Sequence, residues 1–245
     1  MISLVRKLGK ATRLLADGRF RRGLFQGVAA TIEHTSSFID LHFSSIVDVG
    51  ANRGQFTLLM AGLYPDAKIV AFEPLKEPFC KLLNVTAKLP NVRAINSAIG
   101  TTRTTMPMNV SKSDDSSSLL PISAMQERIF PNTGHARVDQ VRVAPLGDFI
   151  NDLDLTRPSL LKIDVQGFEL EVLKGSDDCL DHFDAVYVEA SFVQLYNGQP
   201  FASDIIDYLH QRQLRLRGIY NLSQMSNGRA VQADFLFDRR QEIWT

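Results

Sequence analysis

The sequence is poor in the features that mark disulfide-bonded, zinc-binding and membrane-spanning proteins. Its two cysteines, Cys80 and Cys179, stand far apart, without a Cys-x-x-Cys or Cys/His spacing. Free thiols suit a reducing compartment, so we expect a cytoplasmic protein without a disulfide framework or a structural zinc site. No apolar run approaches the roughly 20 residues of a membrane-spanning helix, and residues 1–30 lack the apolar core of a secretory signal.

The sequence also has no excess charge of either sign, with 27 basic and 27 acidic residues. Nucleic-acid-binding proteins commonly carry a basic patch or a net basic charge, so we expect no nucleic-acid partner. The balance hides one asymmetry, because residues 1–30 carry seven basic residues and one acidic residue. Apolar residues recur at helical spacing between residues 3 and 16, which predicts a basic amphipathic helix.

This basic helix has two interpretations. In the commoner one, its apolar stripe packs on the domain and its charges face water. In the alternative, residues 1–30 lie on the inner face of an anionic membrane or contact a lipid-linked substrate. We favour packing, and we assign residues 1–43 to an N-terminal helical extension and residues 44–245 to one domain.

From residue 44 onward, strand-like and helix-like segments alternate. The apolar segment Ile46–Val49 leads into a glycine-containing turn and then a helix, and Lys68–Phe72 begins the next such unit. This alternation predicts an α/β fold with a mostly parallel, doubly wound sheet. Residues 214–220 and 231–238 predict a late antiparallel pair of strands. Ligands bind at the carboxyl ends of strands in such sheets, so residues that follow strands are the candidates for a site.

One segment interrupts the alternation. Residues 101–142 are polar and rich in turn-forming residues. They are either a plain surface excursion or a lid that covers the substrate, because long insertions in α/β domains often form binding loops.

The glycine turn after the first strand reads "DVGANRGQFT". A dinucleotide-binding turn needs glycines at the positions of Asn52 and Gln55, and a phosphate-binding P-loop needs one more residue between its glycines and a following lysine. Both ligand classes are therefore disfavoured. Glycine permits unusual dihedral angles and close backbone approach, and asparagine tolerates a left-handed conformation.

The pattern that does fit resembles the first motif of the Rossmann-like S-adenosylmethionine-dependent methyltransferases. It consists of Asp48, Gly50, Asn52 and Gly54, followed by Glu73 after the next strand. The resemblance implies that the turn holds the methionine part of the cofactor and that the carboxylate after the second strand accepts both ribose hydroxyls.

Further segments extend the resemblance to the FkbM family of methyltransferases. In order, they are "AFEP", "NSAIG", "LLKIDVQGFELEVLKG" and "VEAS", and the similarity covers about residues 44–240. The family implies a class I methyltransferase fold: a mostly parallel seven-stranded sheet with an antiparallel last strand and helices on both faces. It implies O-methylation of a hydroxyl on a sugar or another metabolite. The usual acid of the family's Asp-x-Glu-Gly block is Gln166 here, which removes a carboxylate from that position.

The strand ends supply the other candidate residues. Asn96, Ser97 and Ala98, after the third strand, are expected to contact the cofactor. Asp164, at the end of the "LLKIDV" strand, is the preferred base for the acceptor hydroxyl, and Glu189 is the second candidate. For Asp164, the alternative is a structural carboxylate paired with a neighbouring lysine.

A histidine and three further polar residues complete the set. His135, in the polar insertion, is a third candidate base. Glu169, Tyr196 and Gln199 are candidate substrate contacts, each with a structural alternative. A cluster of carboxylates could bind a divalent cation, but no spacing requires one, and we expect no essential metal.

The expected acceptor is a hydroxylated small molecule, a sugar or a glycolipid. N-methylation of a small amine and a non-catalytic cofactor-binding module are the alternatives.

Overall fold

Two sheets organise the computed structural model, which describes residues 18–239. The ten strands of these residues are β1 (Ser45–Val49), β2 (Lys68–Phe72), β3 (Val92–Ile95), β4 (Ala98–Ile99), β5 (Thr104–Ser111), β6 (His135–Ala144), β7 (Ser159–Ile163), β8 (Ala185–Ser191), β9 (Arg215–Gln224) and β10 (Ala230–Asp238). The seven α-helices of this part of the chain are α1 (Gly18–Phe25), α2 (Gln55–Leu63), α3 (Lys76–Thr86), α4 (Ala124–Ile129), α5 (Ile150–Leu153), α6 (Glu169–Lys174) and α7 (Ala202–His210).

The larger sheet confirms the predicted fold class. Its strand order is β3-β2-β1-β7-β8-β10-β9. The first five of these strands run parallel, and β10 is antiparallel to both of its neighbours. The predicted pairing of the last two strands is therefore confirmed.

Apolar cores cover both faces of this sheet, because its central strands are buried on each side. Val47 and Val49 of β1 belong to a core that contains residues of α6 and α7. Ile46, which points the opposite way, belongs to a second core with residues of α2. Phe38 and Phe43 are buried in the second core, so this part of the predicted N-terminal extension packs against the sheet. The predicted helix over residues 3–16 lies outside the described residues.

The insertion over residues 101–142 is more regular than its polar composition predicted. It forms most of the antiparallel pair β5–β6, to which β4 adds in parallel. Only one face of this small sheet is buried, where Met108, Val110 and Val141 pack with Leu75. Most residues of the exposed face are polar, which explains the composition. Between the strands lie a short 3-10 turn, Asp114–Ser116, and helix α4.

Within residues 18–239, no helix combines the length and the apolar character needed to cross a membrane.

Candidate active site

A cavity of about 460 Å³ opens at the carboxyl ends of the parallel strands, where the alternating pattern placed the site. The turn after β1, the segment after β2 and the residues before and within β4 form one end of its wall. The ends of β7 and β8, with part of β10, form the other end. The insertion and the segment that precedes β1 also contribute side chains to the wall.

The turn after β1 depends on its glycine. Gly50 has a φ of +79°, and a Cβ atom at this position would lie 1.9 Å from the backbone oxygen of Asp164. A side chain there would require the turn to move. Asn52 adopts a φ of +49°, the left-handed conformation that its residue type tolerates. Both residues line the cavity.

Gly54 has another role than the predicted cofactor contact. It begins α2 with a φ of +97°, and it is not among the residues that line the cavity. A Cβ atom here would lie 3.0 Å from Leu82 of α3. The glycine therefore permits close packing of two helices.

Glu73 follows β2 directly and is 5% exposed at the cavity wall. Its Oε2 accepts a hydrogen bond from the backbone N–H of Asn52 at 2.9 Å, and its Oε1 accepts one from Leu75 at 2.8 Å. Burial raises the pKa of Glu73 to about 7, against the opposing effect of these two N–H groups and of Lys162. Each oxygen keeps a further lone pair for a ligand hydroxyl.

Asp48 is fully buried and does not line the cavity, so the predicted direct cofactor contact is corrected. It lies beside Lys162 in the register of β1 and β7, and the lysine Nζ is 2.9 Å from its Oδ1. Thr57 donates to its Oδ2 at 2.6 Å. Lys162 also donates to the backbone oxygen of Gly50 at 3.0 Å. Asp48 therefore supports the turn from beneath.

Lys162 stays charged in this buried position. Burial alone would lower its pKa, but the negative charges of Asp48 and Asp164 raise the pKa of Lys162 above its ordinary value. Its Nζ is 3.9 Å from Asp164, compared with 2.9 Å from Asp48. Lys162, the lysine offered as a structural partner of Asp164, therefore pairs mainly with Asp48.

The segment before β4 divides into two parts. Ser97 and Ala98 line the cavity. Asn96 does not, because its Nδ2 turns back to donate to the backbone oxygens of Glu73 and Pro74 at 2.8 and 2.9 Å. Its role is to position the segment after β2, which corrects the predicted direct contact.

At the other end of the cavity, an amide joins the two predicted catalytic carboxylates. The Nε2 of Gln166 donates to Asp164 at 2.8 Å and to Glu189 at 2.9 Å. Gln232 donates to the second oxygen of Glu189 at 2.7 Å. Burial, with the nearby charges of Asp164 and Asp234, raises the pKa of Glu189 well above its ordinary value. The neutral amide of Gln166 thus bridges two carboxylates, whereas an acidic residue at this position would add a third negative charge beside them.

The three predicted substrate contacts lie behind the cavity wall, which corrects those predictions. The Oε1 of Glu169 accepts hydrogen bonds from the backbone N–H groups of Val165 at 3.3 Å and Gly167 at 2.9 Å. Burial, opposed by backbone hydrogen bonds, raises the pKa of Glu169 to about 7. This carboxyl group holds the turn that carries Gln166.

The other two predicted substrate residues, Tyr196 and Gln199, are also bound within the protein. The hydroxyl oxygen of Tyr196 lies 2.9 Å from Gln166 Oε1 and 3.0 Å from the backbone oxygen of Ser116, and its one proton can be donated to either acceptor. The side chain of Gln199 binds the backbone N–H groups of Leu195 and Tyr196 and the hydroxyl of Ser191. Both side chains therefore shape the loop after β8.

His135 is exposed at the start of β6 and does not line the cavity, so the structure does not support its predicted role as a base. His34 and Asp234 do line it, and sequence reasoning missed both. His34 precedes the first recognised strand, outside every matched motif. Asp234 is an acidic residue within a mostly apolar strand, "AVQADFLFD", and this unusual position could have marked it as a candidate site residue.

The insertion closes part of the cavity. Its lining residues are Ser113, Asp114, Asp115, Ser116, Ser117, Leu119, Gln126, Phe130 and Thr133. The 3-10 turn Asp114–Ser116 stands over the glycine turn, and Arg53 binds Asp114 at 2.7 Å.

Four buried polar atoms in the cavity wall have no hydrogen-bond partner within the described residues. They are Thr31 Oγ1, Asn52 Oδ1, Gln55 Oε1 and Gln126 Oε1. Buried polar groups are normally paired, so these acceptors favour a ligand that donates hydrogen bonds. The hydroxyl and amino groups of S-adenosylmethionine are such donors, and the residues present fit this cofactor.

The described residues contain no group of three or more histidine, cysteine, aspartate or glutamate side chains arranged to hold a metal ion.

Comparisons with known proteins identify the family. The model of the methyltransferase FkbM domain matches residues 48–216. The methyltransferase sdnD of Sordaria araneosa is 33% identical over 166 residues, which cover 58% of this chain and 62% of that protein. Methyltransferase 1 of Beauveria bassiana is 33% identical over 156 residues, which cover 58% of this chain and 61% of that protein.

The match thus spans about three fifths of the length of these two relatives. The 2-O-methyltransferase NoeI of Sinorhizobium fredii is 25% identical over 175 residues, covering 69% of this chain and 72% of that protein. The family model covers well over half of the sequence and includes the glycine turn, Glu73, Asp164 and Glu189. The chain belongs to the FkbM family of methyltransferases.

Proposed function

We propose that this protein transfers a methyl group from S-adenosylmethionine to a hydroxyl group of a neutral, hydroxylated acceptor such as a sugar. Family membership supports methyl transfer. The observation that carries the choice of acceptor is that one cavity joins the glycine turn and Glu73 to a second end formed by Asp164, Glu189 and Gln232.

The first end of the cavity suits the cofactor. Glu73 would accept the ribose hydroxyls, the turn at Gly50 and Asn52 would hold the methionine part, and Ser97 and Ala98 would contact the remainder. When bound, S-adenosylmethionine supplies an electrophilic methyl group on a sulfonium. The protein's own contribution is to fix the acceptor against that group, since alignment can supply a large part of the rate enhancement.

The second end suits hydroxyl groups. Carboxylate and amide side chains can accept and donate the hydrogen bonds that a hydroxylated ring offers. Asp164, Glu189 and Asp234 line this end, whereas the one lysine of the lining is paired with buried Asp48. The surplus of acidic groups would repel a phosphorylated or carboxylated acceptor. The name of one relative, a 2-O-methyltransferase, supports a hydroxyl acceptor.

A small amine is the second candidate acceptor, because the same acidic groups would attract an ammonium ion. A screen with methyl-labelled S-adenosylmethionine distinguishes the two. It should cover glycan, glycolipid and amine fractions, followed by location of the label in the product.

A methyl ether on a sugar would support the proposal, and label found only on nitrogen would contradict it. Glu189→Gln should lower kcat/KM for the acceptor about tenfold or more, as expected for the loss of a hydrogen bond to a charged group. Asp66→Asn, at an exposed position, serves as the matched control.

A further inference from the structure

His34 and Asp234 form a pair at the acceptor end of the cavity, and both line it. His34 lies in the 3-10 segment Ile32–Phe38, and its Nδ1 is 3.1 Å from Asp234 Oδ2. We propose that His34, oriented by Asp234, is the general base that takes the proton of the acceptor hydroxyl. This inference rests on the proposed O-methylation.

The register of the sheet brings the pair together. Tyr187 on β8 is the neighbour of Lys162 on β7, and Glu189 is the partner of Asp234 on β10. Residues two apart on a strand share a face. This face therefore carries Tyr187, Glu189 and Asp234 side by side, and His34 packs on it, with its Nδ1 2.9 Å from the Tyr187 hydroxyl.

Asp234 is held as a carboxylate. Burial opposes its ionisation, but hydrogen bonds from His34, Asn221 and Tyr187 lower the pKa of Asp234 below its ordinary value. The Asn221 amide donates to its Oδ2 at 2.7 Å, and the Tyr187 hydroxyl donates to it at 3.0 Å. The Asp234 carboxylate, 3.1 Å from Nδ1, can only accept a hydrogen bond, and the Asn221 amide, also 3.1 Å from Nδ1, already donates to Asp234. We therefore assign the proton of the neutral His34 ring to Nδ1.

This tautomer leaves the lone pair of His34 on Nε2. No partner of Nε2 is found among residues 18–239, and 20% of the side chain is exposed. Phe56 and Tyr187 fix the ring by edge contacts, each with ring centroids 5.7 Å apart. Enzymes often activate a nucleophile with a general base that is itself oriented by a third group. Here the base is the Nε2 of His34, and Asp234 orients the ring through Nδ1.

The predicted carboxylate bases are less suited to this role. Asp164 receives a hydrogen bond from Gln166, and both oxygens of Glu189 are bound by amides. An imidazole can accept a proton on one ring nitrogen while the other is held by a carboxylate.

The proposed step balances without another reactant. The acceptor oxygen forms a bond to the methyl carbon, the carbon–sulfur bond breaks, and its electron pair stays on sulfur. The acceptor proton passes to Nε2 of His34, and the imidazolium is stabilised by Asp234. Solvent then takes the proton.

Kinetics test the base directly. His34→Gln should lower kcat by about 100-fold or more, the usual contribution of a general base, and should leave the affinity for S-adenosylmethionine within about twofold. His42→Gln, an exposed histidine near the same segment, is the matched control and should retain full turnover. Full turnover by His34→Gln would overturn the proposal. An equal loss of cofactor affinity would also overturn it, because it would make His34 a cofactor contact.

A second readout needs neither acceptor nor turnover. Nitrogen-15 NMR of the unliganded protein at neutral pH should show His34 protonated on Nδ1, and Asp234→Asn should shift the proton to Nε2. A wild-type spectrum with the proton on Nε2 would overturn the His34–Asp234 pair, whatever the acceptor is. A wild type that methylates only amines would instead contradict the proposed function, so the two failures are distinguishable.

Discussion

Arg53, in the turn after β1, pairs with Asp114 of the insertion. Both Nε and Nη2 of the guanidinium lie 2.7 Å from Asp114 Oδ2. The pair joins the proposed cofactor turn to the segment that covers it. Of the two interpretations that the sequence left open for the insertion, we therefore propose the lid, held over the cavity by this pair.

Removal of the pair should loosen the lid. Both side chains are partly exposed, so the pair should contribute up to about 1 kcal/mol, or about fivefold in an opening equilibrium. Arg53→Ala should accelerate amide hydrogen exchange at residues 113–117 by up to about this factor. Arg137→Ala, which breaks a pair with Asp139 within β6, is the control. Equal exchange in the two variants would show that the Arg53 pair does not hold the lid.

Gln166→Glu should destabilise the acceptor end of the cavity. It replaces an amide that donates to Asp164 and Glu189 with a third carboxyl group. Like charges at this distance repel and raise pKa values. We expect a lower melting temperature at pH 8 and partial recovery at pH 5, where carboxyl groups take up protons.

The control for this variant is Gln213→Glu. Gln213 also has a positive φ, +62°, but it is exposed. Its melting temperature should change little with the substitution at either pH. Similar losses in the two variants would assign the effect to the backbone conformation, not to the cluster of carboxylates.

Glu169 should make stability depend on pH. Its pKa is raised from 4.5 to about 7 in the folded protein, so the folded state binds its proton more tightly than the unfolded state. The stability from this group is complete below about pH 4.5 and is lost as the pH rises through about 7. Both backbone N–H groups bind the same oxygen, Oε1, so Glu169→Gln can keep both bonds.

The free energy of unfolding in urea should therefore fall less steeply between pH 5 and pH 8 in Glu169→Gln than in the wild type. Glu171→Gln, on the same helix and paired with Lys174 at the surface, should keep the wild-type slope. A wild-type slope in Glu169→Gln would contradict the assignment.

The parallel sheet could be predicted because its signals are local. The apolar strand before Gly50 and the helix after it follow directly from the residues, and the carboxyl-end rule then places Glu73, Asp164 and Glu189 at one edge. These three residues do line the cavity. Position after a strand identifies the edge but not the direction of a side chain. For this reason Asp48 and Asn96 were predicted as contacts, whereas Asp48, within β1, supports the glycine turn and Asn96 positions the segment after β2.

The remaining parts depend on long-range pairing that a single sequence does not reveal. Asp234 reaches Glu189 through the register of β10 with β8. His34 joins them because residues 28–43 pack against that face of the sheet. The strands of the insertion were hidden for another reason, since most residues of their exposed face are polar. Within residues 101–142, three apolar strand residues, Met108, Val110 and Val141, mark the buried side.

Calorimetry with S-adenosylmethionine tests the central claim, that the cavity beside Glu73 holds the methyl donor. In Glu73→Gln, one amide nitrogen must face a backbone N–H, because the N–H groups of Asn52 and Leu75 bind different oxygens. The substitution also replaces one carboxylate acceptor for the ribose hydroxyls with an amide NH2 group. Loss of a hydrogen bond to a charged group costs about 1.5–3 kcal/mol, so affinity should fall about 10- to 100-fold. Glu77→Gln, exposed on α3, is the control. Saturable binding by the wild type, weakened only in Glu73→Gln, is the predicted result; no binding by the wild type, or equal binding by both variants, would contradict it.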